Sequence, residues 1–74
     1  MNPTNMLELQ MVVLENVSEN KVLFEKELRK SFIWLDQDEL QRLYFWALEK
    51  FNASYRSLIK YVFSGKYPDE FLHM

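Results

Sequence analysis

The chain has 74 residues, 49% of them apolar and 16% aromatic, no cysteine, and nine Lys/Arg against eleven Asp/Glu for a net charge of −2. This length sets the expectation of one domain spanning residues 1–74. The absence of thiols excludes disulfide frameworks, thiolate metal centres and cysteine nucleophiles, and the apolar content is too high for a disordered chain. No basic stretch followed by an apolar run opens the sequence, and no uncharged stretch nears the roughly 20 residues of a membrane span. The expectation is a soluble cytoplasmic protein without membrane contact.

One Gly and two Pro punctuate the chain, no Asn-Gly or Asp-Gly hairpin signal occurs, and apolar residues recur at helical spacing. The fold class expected is all-α, a small three- to four-helix bundle. The first helix is expected over residues 4–15, starting from Asn2-Pro3 or from the capping box Asn5-x-x-Glu8. Leu7, Met11 and Leu14 form one face, with Met6, Leu9, Val13 and Val17 beside it. Residues 16–20, Asn-Val-Ser-Glu-Asn, favour caps over helix, and a heptad series continuing through Lys21 is broken, so a turn is placed near residues 16–19.

The second helix is expected over 19–34, with Phe24, Leu28, Phe32 and Leu35 inward and Glu25 to Arg29 as an i, i+4 pair on the wet face. The third, over 37–51, has the clearest start. Asp36 caps, Glu39 stands at the third helical position, and Leu35 with Leu40 has staple spacing. Leu40, Leu43, Tyr44, Ala47, Leu48 and Phe51 make its stripe. Ser54 is expected to cap the fourth helix over 54–63, where Tyr55, Leu58, Ile59, Val62 and Phe63 repeat at core spacing. Gly65 reads as a left-handed stop with Pro68 beyond. The tail, residues 66–74, is expected to add a turn or to dock Phe71 on the core.

Chemistry is sparse. The only histidine, His73, is next to the C-terminal residue, where an ordered imidazole is not expected. The acids Asp36, Asp38 and Glu39 lack the glycine and the later ligands of a calcium loop, and suit the positive end of a helix instead. No phosphate-cradling or metal-binding motif is present. The chain is therefore read as no enzyme, with no catalytic residue, metal or cofactor.

Two other features point to binding. On a wheel with Leu40 at zero, the stripe of the third helix covers roughly −60° to +80°, while Phe45 falls at about 140° and Trp46 at about 240°, bordering the arc of Arg42. Trp34 and Tyr61 depart from their stripes in the same way. Aromatic side chains with an arginine nearby are typical interface anchors. Trp34, Arg42, Phe45, Trp46 and Tyr61 are the candidate partner surface, for another protein or for a second copy. The favoured reading is a small non-enzymatic protein–protein interaction or regulatory module, with a homodimer as its simplest form.

The alternative rests on charge. Residues 50–66 hold Lys50, Arg56, Lys60 and Lys66 and no acid, whereas residues 1–20 hold three acids and no base. The third helix, a short turn and the fourth helix have the order of a helix-turn-helix, with Ser54, Tyr55, Arg56, Ser57 and Lys60 on the second helix. Lys50, Arg56, Lys60 and Lys66 would then contact nucleic acid.

Overall fold

A computed structural model describes the backbone of residues 5–66 and the side chains of residues 5–64. The expectations for the tail beyond residue 66, including Phe71 and His73, lie outside the described residues. Four helices follow in order: α1 (Met6–Asn16), α2 (Lys21–Trp34), α3 (Gln37–Lys50) and α4 (Ala53–Lys66). The described chain is all-α, a small helical bundle.

Local chemistry explains each boundary. Asn5 starts α1, its Oδ1 accepting the Glu8 N–H at 2.9 Å. Val17 ends the helix, and Ser18 closes the turn by donating its hydroxyl to the Glu15 carbonyl at 2.9 Å. Asn20 then caps α2 by accepting from the Leu23 N–H at 3.1 Å. The start therefore lies two residues later than expected, because the side chain able to cap is Asn20 and not Ser18. Leu35 turns extended, and α3 opens with the expected capping box: Asp36 accepts the Glu39 N–H at 2.8 Å, and Glu39 accepts the Asp36 N–H at 3.1 Å. Leu35 and Leu40 are both buried beside it. Asp36→Ala is expected to cost about 1 kcal/mol in urea unfolding, with no calcium or magnesium effect on the melting temperature.

Two expectations for α4 are corrected. Ser54 does not cap it: the Asn52 side-chain oxygen accepts both the Ser54 N–H at 3.0 Å and the Ser54 hydroxyl at 2.6 Å, and the helix begins at Ala53. Nor does Gly65 stop it. The helix runs through Gly65 to Lys66, and no glycine has a positive φ. Glycine permits a left-handed stop without requiring one.

Ring contacts give the helix directions. Phe51 meets Tyr55 near the α3–α4 turn at 6.1 Å, and Tyr44 meets Phe63 farther along at 4.9 Å, so α4 doubles back along α3. Phe24 stacks on Tyr55 at 4.7 Å and Phe32 meets Phe63 at 4.9 Å, which makes α2 and α4 parallel neighbours. The α1 helix packs on both α2 and α3. The bundle is thus two helical hairpins, α1–α2 and α3–α4, laid against each other. Among the described residues twelve form the core: Leu7, Leu14, Phe24, Leu28, Leu35, Leu40, Leu43, Tyr44, Ala47, Ile59, Val62 and Phe63.

One polar contact crosses this interior. Gln10, almost fully buried, donates from Nε2 to the Ser31 hydroxyl at 2.9 Å and to the Glu27 carbonyl at 3.1 Å. Ser31 in turn donates to the Glu27 carbonyl at 3.3 Å. Buried amides are tolerable only when paired in this way. A second tie is the Tyr55 hydroxyl, which donates to the Ser18 carbonyl and fastens the start of α4 to the α1–α2 turn.

Candidate functional site

The expected partner residues separate when the chain folds. Phe45 and Trp46 are adjacent in sequence and therefore about 100° apart around α3, and they border its core stripe on opposite sides. Trp46 packs on the core, its ring edge-on to Phe51 at 5.6 Å and 90°. Near it Lys50 crosses to Glu15 of α1 at 3.1 Å. Phe45 instead stays 41% exposed, on the side where α3 faces α4.

There the two helices enclose an open groove of about 590 Å³. The α3 wall is Tyr44, Phe45 and Leu48, with the Phe45 ring edge-on to Tyr44 at 5.2 Å. The α4 wall is Arg56, Ser57, Lys60, Tyr61 and Ser64. The helical repeat explains this composition. Tyr55, Leu58, Ile59, Val62 and Phe63 turn inward, which leaves Arg56, Lys60 and Ser64 as an i, i+4, i+8 row with Ser57 and Tyr61 alongside. Tyr61 is 67% exposed.

The groove merges parts of the two candidate sets. Phe45 and Tyr61 come from the aromatic set, Arg56 and Lys60 from the basic one. Arg42 stands outside the lining, exposed and paired with Asp38 at 3.2 Å within α3. Trp34 is 56% exposed at the end of α2 and also outside it. Lys50 is engaged with Glu15. Lys66 lies at the end of α4, its side chain outside the described residues.

The comparisons with known proteins are brief. No protein family, curated protein or solved structure matches the chain. The reading of the groove therefore stands on its own electrostatics and shape.

Among the described residues, neither Arg56 nor Lys60 has an ion-pair partner, while Arg29, Lys30, Arg42 and Lys50 all do. Burial pushes the Tyr44 phenol above its ordinary value, and the nearby Arg56 cation pulls it partly back. The floor of the groove is thus a neutral phenol under a positive wall. In the sequence Tyr44 and Leu48 read only as core positions, Ser57 only as part of the helix-turn-helix alternative and Ser64 as neither, because their place in the groove depends on α3 lying alongside. No three His, Cys, Asp or Glu side chains gather to hold a metal among the described residues, and no described helix is long and apolar enough to cross a membrane.

Proposed function

We propose that the protein is a small non-enzymatic protein–protein interaction module, with the α3–α4 groove as its docking face. The observation that carries this reading is the pairing of two exposed aromatic rings, Phe45 and Tyr61, with two cations that form no ion pair among the described residues, in one groove. Tyr, Phe and Arg are enriched at the centres of interfaces, where an aromatic ring contributes apolar area and an arginine contributes directional hydrogen bonds. The volume is within the range of sites that hold compact ligands or short peptide segments.

Photocrosslinking tests it. p-Benzoylphenylalanine is placed at position 45 and, as a control, at position 22, where an exposed valine stands outside the groove. Discrete adducts, identified by mass spectrometry, are expected from position 45 only, and Tyr61→Ala is expected to reduce them several-fold without altering helicity. An adduct of twice the chain mass would identify a second copy as the partner. Equal labelling from both positions would overturn the groove as docking face.

A further inference from the structure

Building on that docking role, we infer that the occupant is an extended acidic segment of a partner protein, with carboxylates at alternate positions and an aromatic or branched residue between them. Charge complementarity decides the sign, since Arg56 and Lys60 are the cations of the groove and neither is engaged by a carboxylate among the described residues.

Spacing decides the pattern. Residues i and i+4 on a helix stand about 5–6 Å apart at Cβ, so Arg56 and Lys60 present two charges one turn apart. In an extended chain, side chains two residues apart share a face at roughly 6.6 Å, so acids at alternate positions meet the two cations in register. The residue between them points to the opposite side, where Phe45 and Leu48 form the apolar wall. The row from Arg56 to Ser64 runs about 12 Å at 1.5 Å per residue, the length of about four extended residues.

A nucleic-acid occupant is less well matched. Phosphate binding draws on many cations along a stripe. Here Arg42 and Lys50 are already held by Asp38 and Glu15, and the chain as a whole is acidic.

The test is a nuclear magnetic resonance titration of the full 15N-labelled chain. The probes are the capped peptide Glu-Phe-Glu-Leu, its Gln-Phe-Gln-Leu counterpart, and a short DNA duplex. Saturable amide shifts are expected at residues 44–48 and 56–64 with the acidic peptide, and binding at least tenfold weaker with the neutral one. Arg56→Gln and Lys60→Gln should each weaken the acidic peptide by about fivefold, the upper range for an exposed ion pair. Trp34→Ala should leave it unchanged. Circular dichroism checks that each variant remains folded, as expected for substitutions at exposed positions.

Equal binding of the two peptides, no saturation at millimolar acidic peptide, or tighter binding of the duplex would each overturn the acidic occupant. If crosslinks from position 45 persist while the acidic peptide fails, the docking role stands and only its occupant is wrong. If both fail, both readings fall.

Discussion

Phe24→Ala is expected to remove about 3–5 kcal/mol of stability, the cost of deleting a fully buried ring from a packed core. Phe24 has no exposed surface and stands where α2, α4 and the α3–α4 turn converge. Its ring meets Phe51 edge-on at 4.8 Å and stacks on Tyr55 at 4.7 Å. The same Tyr55 fastens the α1–α2 turn through the Ser18 carbonyl, and Lys21 lies 5.4 Å from the Tyr55 ring centre. A cavity at Phe24 therefore loosens the junction of the two hairpins, not one helix alone. At about 0.05–0.15 kcal/mol per residue, a chain of 74 residues has a total stability of roughly 4–11 kcal/mol, so the variant is expected to lose a large fraction of its stability. Urea titration followed by circular dichroism measures it, with Phe24→Leu as a control that keeps most of the buried volume. A loss under 1 kcal/mol for Phe24→Ala would contradict the central place given to this ring.

Most of this architecture is legible in the spacing of apolar residues. All twelve core residues belong to the helical stripes read from the sequence, because the period of 3.6 residues is a local property that tertiary packing here only confirms. The Asp36–Glu39 capping box is legible for the same reason, with its partners three residues apart. What local pattern does not carry is contact between distant segments. Gln10 and Ser31 are 21 residues apart, and each alone reads as an ordinary polar residue on a helix. Only when α1 lies against α2 does one satisfy the other inside the core. The groove obeys the same logic. Phe45, Arg56, Lys60 and Tyr61 each stand out in the sequence, but Phe45 groups there with Trp46 and Arg56 with Lys50. The return of α4 along α3 rearranges those partnerships.

The most direct check on that rearrangement is Trp46. Its position outside the α3 stripe allows two destinations, a neighbouring helix or another molecule, and the structure packs it on its own core against Phe51. Trp46→Ala is accordingly expected to cost about 2–3 kcal/mol, below the range for fully buried aromatic deletions because the ring is only partly covered. Trp46→Phe should recover more than half of the loss, since a smaller ring still meets Phe51. The oligomeric mass by light scattering should be the same for wild type and variant over a wide concentration range. Fluorescence adds an independent reading, because the chain holds two tryptophans and Trp34→Phe leaves Trp46 as the sole reporter. Its emission should be blue-shifted and partly shielded from iodide, whereas Trp34, reported alone in Trp46→Phe, should be quenched freely. A Trp46→Ala variant of full stability but altered mass would move Trp46 from the core to an interface. The partner surface would then lie on the α1 side of α3, away from the groove.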